Sequence, residues 1–154
     1  MTDTPIGALK DIWPLQAELN KRSGFDTLAL GDALREGGDA PDEATLLAAG
    51  KALKCYIDAM SSECNELQDC LAWKHWYREA KEGKQYLLQD LQNARVEVTD
   101  MLFFWISMCQ ILGMEPDDVF RLYEAKLGIN HNRQDENRTQ AEHATHEDEN
   151  RAVQ

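Results

Sequence analysis

Two acidic pairs constrain this chain more than any other feature: Glu63-x-x-Glu66 and, 31 positions after Glu66, Glu97-x-x-Asp100. Both lie in segments of helical periodicity. Residues three apart on a helix share a face, one turn apart. Each helix therefore offers two carboxylates side by side, flanked by Leu67, Leu71 and Trp73 or by Val96, Val98 and Met101. Four carboxylates set against apolar surface repel and resist ionisation unless something neutralises them. A hard divalent cation does so, and Mg²⁺ takes oxygen ligands while keeping some waters. For either pair alone, a solvated acidic face is the competing explanation.

Their placement strengthens the first explanation. Residues 42–80 read as one long helix with candidate bends at Gly50 or Ser61-Ser62, residues 81–84 as a turn, and residues 86–112 as the next helix, stopped by Gly113. Glu66 and Glu97 then stand about 14 residues either side of the turn, roughly 20 Å from it at 1.5 Å per residue. In an antiparallel helix hairpin the two pairs face each other. Around this hairpin, residues 6–22 are helical in pattern through Leu9, Ile12, Leu15 and Leu19, with Pro14 as a break. Residues 24–41 read as a loop, with Gly31, Gly37, Gly38 and Pro41 as breakers. Pro116 starts a last helix that Gly128 closes. Almost nothing reads as strand, so the expected fold is an all-α helical bundle over residues 1–134. Residues 135–154 are polar and non-periodic, which predicts a disordered tail.

Composition narrows the function. A net charge of −12 repels phosphate backbones, which argues against general nucleic-acid binding. A small phosphorylated ligand stays open if metal ions screen it. Cys55, Cys64, Cys70 and Cys109 show no Cys-x-x-Cys spacing and no Cys/His pattern for zinc. They fit reduced thiols, in the core or near the site, of a cytoplasmic protein. The start, MTDTPIGALK, lacks the apolar run of a signal peptide. The run MLFFWISMCQIL, residues 101–112, is too short to span a bilayer, which needs roughly 20 residues. It is apolar all round, so it needs cover on every side, from a bundle core or a dimer interface.

With these residues in view, the chain resembles the dimeric, all-α dUTPases of the MazG-like nucleoside triphosphate pyrophosphohydrolase superfamily. Four blocks carry the resemblance, in order: LQAELN (residues 15–20), ECNELQDCLAWKHWY (63–77), NARVEVTDMLFFWIS (93–107) and KLGINHNRQD (126–135). The WKHW string is the most specific of them. The resemblance implies a homodimer that hydrolyses dUTP to dUMP and pyrophosphate with Mg²⁺. Glu63, Glu66, Glu97 and Asp100 would hold the metal, and Glu63 or Glu66 would also orient or deprotonate the attacking water. It further implies that the amides of Gln16 and Asn20, four apart on one helix face, read the base. Trp73 and Trp76 would border the nucleobase pocket, and Lys74 would meet phosphate. Phe104 would pack on the deoxyribose and exclude a 2′-hydroxyl. Lys126, Asn130 and Arg133, expected just past a helix end, would contact phosphates.

Each role has a plainer counterpart: surface amides, a packed Trp pair, solvated lysine, and cations favouring a helix C-terminus. The chain also departs from the family pattern. Phe103 stands where the family often has His, and the Gly-Tyr that often follows the C-terminal Arg-Gln is missing. Two other functions therefore stay open. One is the same chemistry on another nucleoside triphosphate such as dCTP. The other is a non-catalytic helical interaction protein.

Overall fold

The computed structural model describes residues 5–137, 139–141 and 147–153. Among these it is all-helical, in seven helices: α1 Pro5–Arg22, α2 Thr27–Glu36, α3 Glu43–Asp69, α4 Arg78–Lys81, α5 Leu91–Ile111, α6 Pro116–Asp135 and α7 Glu147–Arg151. The chain divides into two compact units, Ile12–Gly113 and Met1–Asp11 with Met114–Gln154. No single described helix is long and apolar enough to cross a membrane.

In the first unit α3 packs on α5, and α2 packs on both. The core joins Ala49, Ala52 and Tyr56 of α3 to Ile111 of α5. Phe25, Leu30, Leu34, Leu53, Phe104 and Met108 pack around them. Small alanines let the two long helices approach, and Tyr56 lies 6.3 Å from Phe104, ring centre to ring centre. Asx caps start the helices where backbone N–H groups lack partners. Asp26 accepts from the Ala29 amide, Asp42 from Thr45 and Asp90 from Asn93. Those bonds hold the Asp26 and Asp42 carboxyls below their ordinary range.

Four expectations need correcting. First, Pro14 does not break α1, which runs through it. A proline inside a helix removes one hydrogen bond and costs roughly 3 kcal/mol. Here Trp13, Gln16 and Asn20 are all buried from the same stretch, which offsets that cost. The boundary between the compact units falls between Asp11 and Ile12, within the turn that Pro14 weakens. Second, residues 27–36 are a helix rather than loop. Gly31 is not a breaker: a Cβ there would stand 2.1 Å from the Gln110 carbonyl oxygen, so it is the residue that lets α2 seat on the end of α5. Arg35 fastens the contact by donating to the Gly113 carbonyl at 2.9 Å.

Third, the connection between α3 and α5 is not a four-residue turn. α3 ends at Asp69, unbroken at Gly50 or Ser61, and α5 begins at Leu91. The chain between is pinned to itself. The Ala72 amide donates to Leu87 O, the Tyr86 amide to Ala72 O, and Leu71 and Leu88 form an isolated antiparallel bridge. Fourth, Gly128 does not stop α6, which continues to Asp135.

The tail expected from residue 135 lies partly outside the described residues, at 138, 142–146 and 154. Of what is described there, residues 147–151 form α7.

Candidate functional site

The two acidic pairs meet where α3 lies against α5. Carboxylate oxygens of Glu63, Glu66 and Glu97 lie within 4.8 Å of one another. Glu97 is 7% exposed, Glu63 and Asp100 are half-buried, and Glu66 is exposed. Burial foremost raises the Glu63 carboxyl above its ordinary range. The charge of Glu66, a hydrogen bond with Glu97 and the charges of Asp100 and Glu97 push it the same way. A group hemmed in by like charges gains most from a cation. The donor set is all carboxylate oxygen, which suits a hard ion. Around one octahedral Mg²⁺ at about 2.1 Å, neighbouring oxygens stand about 3.0 Å apart and opposite ones about 4.2 Å, so the cluster closes by up to about 2 Å to hold one ion.

Glu63 and Asp100 also line a cavity of about 310 Å³. Gln16, Asn20, Tyr56, Phe103 and Phe104 are among its other walls. Three helices thus bring seven of the expected site residues to one place: Gln16 and Asn20, the acids Glu63 and Asp100 with their neighbours Glu66 and Glu97, and Phe104. A cavity of this size falls at the lower end of small-molecule pockets, roughly 300–1,000 Å³.

Gln16 and Asn20 are not surface amides. Both are buried, in a hydrogen-bonded chain that the sequence reading missed. Gln16 Nε2 donates to Asn20 Oδ1 at 2.8 Å and to Ser107 Oγ at 3.3 Å. Asn20 Nδ2 donates to Ser107 Oγ at 2.9 Å and to Thr27 Oγ1 at 3.3 Å. Thr27 donates to Gln110 Oε1 at 2.7 Å, and Gln110 Nε2 donates to the Trp13 carbonyl at 2.8 Å. Thr27 and Ser107 are fully buried. Tyr56 borders the same network, its phenol raised by burial and lowered in part by a hydrogen bond with Ser107. A signal for these partners was present: Ser107 and Gln110 interrupt an apolar run three apart, one helix face.

The remaining expected residues lie elsewhere. Trp73 was expected on the face of Glu66, two turns along the same helix, with Trp76 one turn further and Lys74 between them in sequence. α3 ends before them, and they belong to the pinned connection. Trp73 and Lys74 line a separate cavity, also about 310 Å³, with Asp69, Tyr77, Glu79 and Gln89. Trp73 Nε1 donates to Asp69 at 2.9 Å, and the Lys74 ammonium sits 5.6 Å from the Trp73 ring and 5.7 Å from that of Tyr77. Trp76 is 52% exposed and packs edge-on against His75 and Trp73.

Lys126, Asn130 and Arg133 lie within α6, not beyond its end, in the second compact unit. Of the cysteines, Cys70 and Cys109 are buried and Cys55 and Cys64 exposed, all free thiols. Burial pushes the Cys109 thiol up to about 12, which makes it inert.

A third cavity, about 430 Å³, runs between α1 and α5 and is almost wholly apolar: Ile12, Leu15, Leu19, Leu102, Phe103 and Ile106 with Gln16 and Thr99. Leu15 is 66% and Phe103 39% exposed. Within this chain the run 101–112 is covered in part, with Leu102, Phe103, Trp105 and Leu112 exposed. No protein-family model, no curated protein and no solved structure matches this chain.

Proposed function

We propose that this chain is a Mg²⁺-dependent dUTP diphosphatase that releases dUMP and pyrophosphate. The observation that carries the reading is the junction of two acidic pairs with a cavity walled by Gln16, Asn20 and Phe104. Glu63, Glu66, Glu97 and Asp100 would hold the metal. When bound, Mg²⁺ supplies charge neutralisation on the phosphates and eases ionisation of water. One carboxylate of the first pair takes the proton of the attacking water. A new bond forms from the water oxygen to a phosphorus. The bond from that phosphorus to the nucleotide oxygen breaks, and dUMP leaves; the resemblance places the attack at the β-phosphorus.

Gln16 faces the base. Its Oε1 has no partner among the described residues, so it can accept from a base N–H. Asn20 spends its amide on Gln16, Ser107 and Thr27, and is a positioning residue. Phe104 packs on the sugar. Trp73, Lys74, Trp76, Lys126, Asn130 and Arg133 are assigned to base or phosphates by the resemblance alone. The half-open apolar groove on α1 and α5 supports the chain being one half of a homodimer, since an exposed apolar patch of this kind marks an interaction surface.

The deciding experiment is a nucleotide panel assayed for pyrophosphate release with Mg²⁺, beside Glu66→Gln. Release from dUTP, nearly lost in a folded Glu66→Gln, is the expected result. Turnover of that variant within about threefold of wild type removes Glu66 as a metal ligand. Phe103 in the cavity wall favours one rival, a related nucleotide such as dCTP, and the same panel separates the two. No release from any nucleotide leaves a helical interaction protein.

A further inference from the structure

α6 presents Lys126, Asn130 and Arg133 at positions i, i+4 and i+7, one face of a helix. The chain's own C-terminal segment sits on that face. Glu149 of α7 accepts from Arg133 Nε at 2.7 Å and also from Nη2. Asn150 Oδ1 accepts from Lys126 Nζ. The Arg133 and Glu149 side chains are only 16% and 25% exposed. By comparison, the Lys10–Asp117 pair of the same unit is 51% and 71% exposed.

A guanidinium fork engages a carboxylate and a phosphate with the same pair of donors. One Arg133 cannot serve Glu149 and a phosphate at once by that edge. We propose that α7 is an intramolecular competitor: Glu149, with Asn150, holds the α6 cations until a polyphosphate displaces it. This rests on the reading of Lys126 and Arg133 as phosphate ligands. Tethering makes the competition effective although the pair itself is weak. Glu149 is attached by a short linker, which sets an effective concentration in the millimolar range. A ligand that must displace it binds more weakly by the fraction of chains in which the face is open.

Inorganic tripolyphosphate, titrated by calorimetry without Mg²⁺ into the full chain, into Glu149→Gln and into Arg133→Ala, tests this apart from catalysis. Gln keeps the shape but carries no charge, so Glu149→Gln should bind tripolyphosphate about 3–10-fold tighter. Arg133→Ala should weaken tripolyphosphate binding. Equal affinity in wild type and Glu149→Gln overturns the proposal, whatever dUTP does. Unchanged binding by Arg133→Ala also overturns it, by showing that this face does not hold phosphate. Tighter tripolyphosphate binding by Glu149→Gln without dUTP hydrolysis by any form sinks the diphosphatase reading and leaves this one standing.

Discussion

Glu97→Gln should make the metal-free protein more stable and the Mg²⁺-loaded protein less so. Glu97 is the most buried of the four acids, with Glu63 and Glu66 oxygens within 4.8 Å. Two unit charges at that distance repel by about 0.9 kcal/mol in water and about 3.5 kcal/mol at an effective dielectric of 20. Glu66 is exposed and Glu63 only half-buried, so solvent screening keeps the sum low in that range. Removing one charge should gain about 1–3 kcal/mol at pH 8, or about 2–4 °C per kcal/mol for a chain of this size.

The pH dependence follows from Glu63, whose carboxyl is raised above its ordinary 4.5. A raised group contributes stability below its unfolded value and loses it as pH climbs through the folded one. The gap between variant and wild type should therefore open from about pH 4.5 upward and close below it. Mg²⁺ should raise the melting temperature of wild type in proportion to the logarithm of its concentration, and that of the variant much less. Melts of both proteins at pH 4 and pH 8, with and without Mg²⁺, make the comparison. The reasoning fails if Glu97→Gln is destabilising without metal at pH 8, or if Mg²⁺ stabilises both proteins alike.

Three further outcomes are expected. Gln16→Ala should narrow the preference for dUTP over dCTP, whose ring N3 is an acceptor where uracil carries an N–H, with a small loss of stability. Asn20→Ala should instead cost about 1–3 kcal/mol, because buried Ser107 and Thr27 lose partners; urea melts and paired turnover assays separate the two. Phe104→Ala should close part of the gap between dUTP and UTP hydrolysis. It should also cost roughly 2–4 kcal/mol, below the range for a fully buried Phe because the side chain is half-buried. Gly31→Ala and Gly50→Ala should change stability in opposite directions. A Cβ at Gly31 meets the Gln110 carbonyl, an overpacking cost of about 1–3 kcal/mol, while Gly50 has open space and gains about 0.5–1 kcal/mol. Helix propensity alone predicts a gain at both, so a stabilised Gly31→Ala would refute the packing of α2 on α5.

The acidic pairing was legible in sequence because period and spacing survive errors in the boundaries. α3 stops three residues after Glu66 and α5 starts six before Glu97, so the symmetric turn assumed between them does not exist. The pairs still meet. What sets the register is the Asp90 cap together with the backbone pairing of Ala72 with Tyr86 and Leu87. None of these leaves a periodic trace. Pro14 and Gly31 misled for a related reason. Both are breakers by local preference, and both sit in helices because of what lies across from them: buried Trp13, Gln16 and Asn20 in one case, the Gln110 carbonyl in the other. Local propensity is overridden when the tertiary contact is worth more. Trp73 and Trp76 went astray with the helix end, since their placement was extrapolated along a helix that had already stopped.

The unforeseen α2 bears most on the chemistry, because it sets the polarity of the buried amides. Amide oxygen and nitrogen are told apart by their partners. The Trp13 carbonyl can only accept, so the Gln110 group facing it must be the NH₂. Gln110 Oε1 then faces Thr27, whose single hydroxyl proton goes to it. Thr27 is left as an acceptor for Asn20 Nδ2. Asn20 Oδ1 therefore turns to Gln16 and takes the Gln16 Nε2 proton. At the end of the relay Gln16 has one uncommitted polar atom, the acceptor Oε1, on a residue that lines the cavity beside Glu63 and Asp100. One backbone carbonyl on α1 thus dictates, through α5 and α2, that the cavity offers an acceptor. A ligand edge bearing an N–H, such as the imino group of uracil, satisfies it. An edge presenting only acceptors leaves two lone pairs facing each other in a buried site, the kind of mismatch that discriminates most strongly.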